Sequence, residues 1–172
     1  MQVQQTQRCF APVIDDRTRV LLLGSLPGQR SLAAGEYYAH PQNQFWKLIS
    51  AAIGKDIQPL CYPDRLATLL DHRIGLWDAV AEACRPGSLD SALRDIAAND
   101  LTAVVARMPD LRLIAFNGQK AGQIGRRRLG SWPAAKTLAL PSSSPAFTKP
   151  VADKAAIWRA ALRTALVGRK LP

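Results

Sequence analysis

Four short apolar segments in this 172-residue chain each end at a small or polar residue that suits a loop. Between them, apolar residues recur every three or four positions, which is typical of helices that cover a sheet. Strands that alternate with helices favour a mainly parallel sheet with helices on both faces. We therefore predict an α/β fold, a three-layer α/β/α sandwich with a central, mainly parallel four-stranded sheet. The predicted strands are Val20–Leu23, Ile74–Trp77, Leu111–Phe116 and Lys136–Leu140.

Helices are predicted between and after these strands. Their apolar spacing defines them, and Gly54 and Pro109 suit two of their ends. They cover Asn43–Ala52, Asp64–Leu70, a segment capped by Asn99 or Asp100 that reaches Met108, a segment from Gly118 towards Leu129, and a segment from Val151 to Leu166. We expect residues 1–172 to form a single domain, with residues 1–18 as an N-terminal tail and lead-in.

Composition narrows the environment and the partners. The chain is 48% hydrophobic, enough for a sizeable core, and no apolar run reaches the length of a membrane span. Three widely spaced cysteines without a C-x-x-C pattern indicate buried thiols in a reducing cytoplasm. The net charge of +10 indicates a polyanionic partner, because each neutralised phosphate releases a counterion. The densest basic cluster is Arg126, Arg127 and Arg128, for which a solvated helix face is the alternative.

Polar residues at the predicted strand ends indicate a binding site, because ligands of parallel α/β sheets bind beyond the carboxyl ends of the strands. The loop after Gly24 then supplies Tyr37, Tyr38 and Asn43. Flat rings and an amide at one sheet edge suit the recognition of a flat heterocycle such as a nucleobase. The residues at the four strand ends are Gly24-Ser25, Trp77-Asp78, Asn117-Gly118 and Pro141-Ser142.

The segment from Gly24 to Trp46 resembles the first motif of the uracil-DNA glycosylase superfamily. Ala39–Trp46, with the sequence Ala-His-Pro-Gln-Asn-Gln-Phe-Trp, matches the second half of this motif in the mismatch-specific uracil/thymine glycosylases. The first half departs, because Ser25 stands where those enzymes have their water-positioning Asn. Ser25 and the Tyr37-Tyr38 pair together resemble the first motif of the hypoxanthine-DNA glycosylase branch. The resemblance runs from about Pro12 to about Leu166 and implies a uracil-DNA glycosylase-like fold.

The resemblance implies that Asn43 and Ser25 are the catalytic residues. Asn43 would position a water or hydrogen-bond the base, and Ser25 would present its hydroxyl and backbone N–H. The alternatives are a helix cap for Asn43 and a simple turn residue for Ser25. Neither motif loop contains a lysine that could form a Schiff base, so we expect a monofunctional enzyme.

Four residues are expected to bind the base: Tyr38, Tyr37, Gly24 and Asn117. Tyr38 stands at the position of the aromatic that stacks on the flipped base in the mismatch-specific enzymes, and a core aromatic is the alternative. Gly24 lets the backbone approach a ligand closely. Asn117 could read a base edge, although Asn-Gly is also an ordinary turn that needs no ligand.

The segment Pro141–Phe147 aligns with the second motif of the superfamily, the loop that enters the minor groove. Ser142, Ser143 and Ser144 are expected to grip phosphates, with a Ser-rich surface turn as the alternative. Phe147 is the candidate wedge, and Lys149 just beyond the loop is a further candidate for DNA binding. The loop lacks the His of the most active uracil-excising branch.

The remaining polar residues predict no metal site and no cofactor. His40 and His72 have no adjacent carboxylate, and we interpret His40 as a structural residue that hydrogen-bonds its loop. Three cysteines cannot hold the four-cysteine iron–sulfur cluster found in some branches of the superfamily. Asp78 could read a base edge or cap the next segment, and Asp90 receives no role.

The leading hypothesis is a monofunctional DNA glycosylase of base excision repair that flips out and removes a deaminated base, hypoxanthine first and uracil second. The alternatives are a G·U/G·T mismatch-specific uracil/thymine glycosylase and a non-catalytic protein that binds damaged DNA. The expected partner is DNA containing a deaminated base. We expect a cytoplasmic monomer without a membrane segment.

Overall fold

A computed structural model describes residues 6–131 and 135–167. Its central sheet has four strands, all parallel, in the order β3-β2-β6-β7. This arrangement confirms the predicted sheet. The strands are β2 (Val20–Gly24), β3 (Ile74–Asp78), β6 (Leu113–Asn117) and β7 (Lys136–Leu140).

Helices cover both faces of this sheet. Successive side chains of a strand point to opposite faces, and both sets are apolar in β2, so both faces must be covered. Val20 and Leu22 of β2 pack with Phe45 and Trp158, whereas Leu21 and Leu23 pack with Phe116 and its neighbours. The two clusters are the inner layers of the predicted three-layer sandwich. The helices are α1 (Gln29–Ala34), α2 (Phe45–Ile53), α3 (Tyr62–Asp71), α4 (Leu101–Val105), α5 (Gln119–Leu129) and α6 (Val151–Val167).

A second, antiparallel sheet was not predicted from the sequence. It contains β1 (Thr6–Arg8), β4 (Val80–Cys84) and β5 (Arg94–Ala98) in the order β1-β4-β5. Part of the expected N-terminal tail is therefore a strand, and Val13 forms an isolated bridge with Leu76. These strands lack a clear alternating pattern, since β1 has three residues and β5 is largely exposed. Only Ala79 separates β4 from β3.

Two helical segments and the thiols also differ from expectation. The six-residue helix α1 forms within the expected loop and ends at Gly35, whose φ of 68° is easily adopted by glycine. The helix expected to reach Met108 ends at Val105. Cys61 is exposed, and Cys9 and Cys84 are only partly buried, so the expectation of three buried thiols was wrong. Within the described ranges, no helix is long and apolar enough to cross a membrane.

Candidate active site

A pocket of about 520 Å³ lies at the carboxyl ends of the parallel strands. The loops after β2 and β7 and the last residues of β3 and β6 all contribute to it, as the strand-end residues predicted. It brings together most of the residues singled out from the sequence, and Asp78 and Asp90 join them. The predicted residues that line it are Gly24, Ser25, Tyr37, Tyr38, Asn43, Asn117, Ser142, Ser143, Ser144 and Phe147.

Asn43 stands at the start of α2 and faces the pocket. Its Oδ1 accepts a 3.0 Å hydrogen bond from the backbone N–H of Phe45, the first residue of the helix. This contact closes an Asx turn before the helix; the capping alternative is not observed, because the N-cap of α2 is Gln44 and no side chain forms a cap hydrogen bond there. The Nδ2 atom of Asn43 has no partner within residues 6–131 and 135–167, so the same side chain retains a donor for a ligand in the pocket. A catalytic role of Asn43 stays a prediction.

Ser25 is joined to Asp90 across the pocket wall. The Ser25 hydroxyl donates a 2.6 Å hydrogen bond to Oδ1 of Asp90, and the guanidinium of Arg85 lies 3.5 Å from the same oxygen. Burial raises the pKa of Asp90, while Ser25, Arg85 and Lys120 oppose this rise. With its proton directed to Asp90, the Ser25 oxygen can accept a hydrogen bond from a water or a base. Asp90 thus has a contact that the sequence did not assign.

Arg85 holds the segment that carries Asp90. Its buried guanidinium donates to Oε1 of Gln7 and to the backbone carbonyls of Pro27 and Ser88. These contacts tie β1, the loop after β2 and the 88–91 segment together. The pocket wall formed by Ser88, Leu89, Asp90 and Ser91 therefore depends on one arginine.

The ring of Tyr38 is stacked on Phe45, with ring centroids 3.9 Å apart and planes 11° from parallel. Its backbone φ of 56° is unusual for a residue that is not glycine. Phe45 is fully buried and holds the Tyr38 ring beside the pocket. Tyr37 is 2% exposed and packs edge-on against Phe10, so most of its ring belongs to the core. Base stacking by Tyr38 and base binding by Tyr37 stay predictions.

Gly24 leaves space between two polar groups on the pocket floor. A Cβ at this position would lie 2.6 Å from Oδ1 of Asp78 and 2.8 Å from the Tyr38 hydroxyl. Asp78 is 3% exposed, and burial together with the nearby Asp90 raises its pKa to about 8. Burial and Asp78 also raise the pKa of Tyr38, and the neighbouring Asn117 amide offsets part of that rise. Any larger residue than glycine would fill this space.

Asn117 connects the end of β6 to the loop after β7. Its Nδ2 donates to the Ser143 hydroxyl and its Oδ1 accepts from the Ser143 backbone N–H, both at 2.8 Å. Ser143 is fully buried, and its carbonyl accepts from the backbone N–H of Gln44. Gly118 has a φ of 98°, in agreement with the Asn-Gly turn. Asn117 and Ser143 therefore position the second loop, and their contacts with a base or DNA stay predictions.

The second loop leads to an exposed aromatic ring at the rim of the pocket. The Ser142 and Ser144 hydroxyls accept hydrogen bonds from the backbone N–H groups of Ser144 and Ala146, which shapes the loop. Phe147 follows and is 45% exposed. Burial of so large an apolar side chain would favour association with another molecule. This position is compatible with the predicted wedge.

Lys154 connects the loop of the first motif to the loop of the second motif through hydrogen bonds of its buried side chain. Its Nζ donates to Oε1 of Gln44 at 2.9 Å and to the Phe147 carbonyl at 2.7 Å. The same atom lies 5.2 Å from the centre of the Phe147 ring. Lys154 is fully buried, and burial lowers its pKa. The sequence contained a signal for this residue, because Lys154 lies on the apolar stripe of α6 between Val151 and Trp158.

The basic residues predicted to bind DNA lie outside the pocket. Lys149 is exposed beyond the second loop, close to its rim. Arg126, Arg127 and Arg128 occupy the last turn of α5, about 10–14 Å along the helix from its start at the pocket edge. Arg126 also lies over the Phe116 ring at 5.5 Å. Their contact with DNA stays a prediction, whereas Arg30, which sequence reasoning missed, lines the pocket.

The structural role predicted for His40 is confirmed. Its Nδ1 accepts a hydrogen bond from the Gln42 backbone N–H at 3.2 Å. Among residues 6–131 and 135–167, no cluster of three His, Cys, Asp or Glu side chains could hold a metal ion.

Comparison with known proteins gives the same superfamily as the resemblance of the first motif. Residues 11–164 match the family model described as the uracil DNA glycosylase superfamily. The chain is 40% identical over 157 residues to the hypoxanthine DNA glycosylase of Methanosarcina acetivorans, covering 91% of this chain and 98% of that protein. It is 42% identical over 114 residues to the hypoxanthine DNA glycosylase of Methanosarcina barkeri, covering 66% of this chain and 72% of that protein.

A solved structure shares the fold. It is the solution NMR structure of a candidate uracil DNA glycosylase from Methanosarcina acetivorans, with a TM-score of 0.82 and 40% identity. The match covers 94% of this chain and 99% of that one. The resemblance inferred from Ala39–Trp46 is confirmed over most of the chain. This chain therefore belongs to the uracil DNA glycosylase superfamily.

Proposed function

We propose that this chain is a monofunctional DNA glycosylase that removes hypoxanthine, and more slowly uracil, from DNA. One observation carries the proposal: Tyr38, Asn43 and Ser25 meet in one pocket, with Phe147 at its rim. A pocket of about 520 Å³ can hold a single flipped base. The relatives that cover most of this chain are named hypoxanthine DNA glycosylases.

Removal of a base builds positive charge on the sugar and negative charge on the departing base. The reaction therefore needs a positioned water and groups that stabilise the developing charges. In the proposed complex, the base stacks on Tyr38, and the Nδ2 of Asn43 donates to the water or to the base. The Ser25 hydroxyl donates its proton in a hydrogen bond to Asp90, so its oxygen accepts a hydrogen bond from the same water.

The proposed preference for hypoxanthine follows from the second loop. It contains no His to stabilise a uracil anion as it leaves, whereas hypoxanthine can depart after accepting a proton at N7. Phe147 would fill the gap in the duplex after the base leaves the stack. We further propose that the protein acts as a single-domain monomer in the cytoplasm.

The test is a glycosylase assay on duplexes with one inosine or one uracil, followed by alkaline cleavage of the abasic product. We expect hypoxanthine to be released faster than uracil from a G·U pair. Borohydride should trap no covalent complex, because no described residue that lines the pocket is a lysine. Faster release of uracil would favour the mismatch-specific alternative, and binding without release would favour the non-catalytic one.

A further inference from the structure

The carboxyl group of Asp78 lies on the pocket floor without a hydrogen-bond partner. Its Oδ2 is buried and has no partner among the described residues. Asn99 donates to the backbone carbonyl of Asp78 and leaves the carboxyl group free. A buried polar group without a partner costs roughly 1–3 kcal/mol, so its presence in a pocket indicates a ligand that completes its bonding.

The shape of the floor directs this group into the pocket. Oδ1 of Asp78 lies 2.6 Å from the point where a Cβ of Gly24 would be, and the Tyr38 hydroxyl lies 2.8 Å from that point. Glycine thus keeps open the space that both polar groups border. A flat base stacked on Tyr38 would place one edge towards this space.

The surrounding charges favour a neutral carboxyl group. Asp90 repels a negative charge at Asp78, and Arg85 is the cation that acts on Asp78. The Arg85 guanidinium is already occupied by Gln7, Pro27, Ser88 and Asp90. The other titratable groups whose charges couple to Asp78 are Tyr37, Tyr38, Tyr62 and Cys9. None of these is a cation, and the pKa of Asp78 is about 8.

We propose that Asp78, as a neutral carboxylic acid, reads the lactam edge of the flipped base. Its O–H donates to the exocyclic oxygen, and its C=O accepts from the adjacent ring N–H. This inference rests on the proposed function. A charged carboxylate would face the exocyclic oxygen with a second negative group, whereas the neutral acid matches the acceptor and the donor together. Hypoxanthine and uracil both present this pair.

Two variants separate base reading from other roles. Asp78→Asn keeps a donor and an acceptor but does not titrate, and Asp78→Leu removes both. Single-turnover release from inosine duplexes is measured from pH 6 to pH 10, and thermal melting checks that each variant is folded. The wild-type rate should fall about tenfold per pH unit above pH 8. Asp78→Asn should be slower by up to about tenfold at pH 7, and its rate should fall less steeply than the wild-type rate above pH 8.

The base's own N–H also ionises at alkaline pH, but this affects both enzymes alike, so the difference between them is diagnostic. Asp78→Leu should lose about 100-fold or more on inosine duplexes. A duplex with purine, which lacks the exocyclic oxygen, tests the edge itself. The ratio of hypoxanthine to purine release should drop at least about tenfold in Asp78→Leu, the scale expected when a hydrogen-bonding site loses its partner.

Three results would overturn the inference: an equal alkaline decline in Asp78→Asn, equal losses in the Asn and Leu variants, or an unchanged ratio in the Leu variant. If the wild type releases no base, the proposed function fails, and a direct measurement then tests whether Asp78 binds the base. Carbon-13 NMR of the labelled Asp78 carboxyl group follows its titration with and without free hypoxanthine. Hypoxanthine should raise the pKa of Asp78, because it binds the neutral form, and an unchanged titration would refute base reading.

Discussion

Ser25 and Asp90, 65 positions apart in the chain, are joined by a 2.6 Å hydrogen bond at the wall of the pocket. The bond ties the loop after β2 to the segment held by Arg85. It also fixes the direction of the Ser25 proton, which leaves the oxygen as an acceptor. From the sequence alone, Ser25 could be a simple turn residue. The carboxylate of Asp90, distant in the chain, gives its hydroxyl a defined orientation.

Ser25→Ala and Asp90→Asn should each slow base release by about 10- to 100-fold, since a hydrogen bond to a charged group contributes about 1.5–3 kcal/mol. Single-turnover assays measure this effect. The double variant should lose little more than either single variant, because both changes act on the same contact: Ser25→Ala removes its donor and Asp90→Asn removes the charge of its acceptor. Asp95→Asn, on the exposed strand β5, is the matched control. Additive losses would show that the two side chains act separately.

Asn43→Ala and Asn43→Asp separate the two roles of this side chain. The Asp variant keeps an oxygen that accepts from the Phe45 N–H but loses the Nδ2 donor, whereas the Ala variant loses both. Both should release base about 100-fold more slowly or worse. Only Asn43→Ala should also lose about 1 kcal/mol of unfolding free energy, the net contribution of one hydrogen bond, measured by urea denaturation. Wild-type rates in Asn43→Asp would reduce Asn43 to a structural residue of the turn before α2.

Tyr38→Phe should retain more activity than Tyr38→Ala. The Phe ring can keep the stack on Phe45 and the surface on which a base would stack, while Ala removes both. Stacking contributes roughly 1–3 kcal/mol per base, so Tyr38→Ala should weaken binding of inosine DNA by about 5- to 150-fold. Fluorescence anisotropy with inosine and undamaged duplexes measures this. Equal losses in the two variants would assign the effect to the hydroxyl.

Lys154→Met should slow base release by about tenfold or more. The variant keeps the length of the side chain but removes the bonds to Gln44 and the Phe147 carbonyl, so the two loops are no longer joined. Lys149→Met is the matched control, because this lysine is exposed. It should weaken DNA binding and reduce its salt dependence by about one counterion, with little effect on the release rate at saturating enzyme. A slower release rate in Lys149→Met together with an unchanged release rate in Lys154→Met would contradict the positioning role of Lys154.

Asp78→Asn should stabilise the free protein at neutral and alkaline pH. The folded-state pKa of Asp78 is about 8, above its ordinary value of 3.8. Between these values the unfolded chain loses the proton while the folded protein keeps it, so the stability contributed by neutral Asp78 falls as pH rises. The Tm difference between Asp78→Asn and wild type should therefore grow from pH 4 to pH 8 and then level off. A constant difference would place the pKa of Asp78 near its ordinary value.

Local sequence patterns determined the central sheet and the first loop of the site. The strands β2, β3 and β6 are buried on both faces, and the edge strand β7 is exposed over its first three residues. The residues at the carboxyl ends of parallel strands must lie at one sheet edge whatever the rest of the chain does. Ser25, Asn43 and Asn117 could therefore be placed at the pocket. The antiparallel strands β1 and β5 could not, because short or exposed strands leave no alternation and acquire their partners only from β4.

Tertiary structure decided which polar groups act together. The contacts between Lys154 and Gln44, 110 positions apart, and between Ser25 and Asp90 arise only when loops from different strands meet. It also decided ionisation, because the pKa of Asp78 depends on burial and on the distance to Asp90 and Arg85. The sequence by itself determined the family and the edge of the sheet where chemistry occurs. Burial and long-range contacts decided the state of each group there, since desolvation and Coulomb interactions depend on three-dimensional distance.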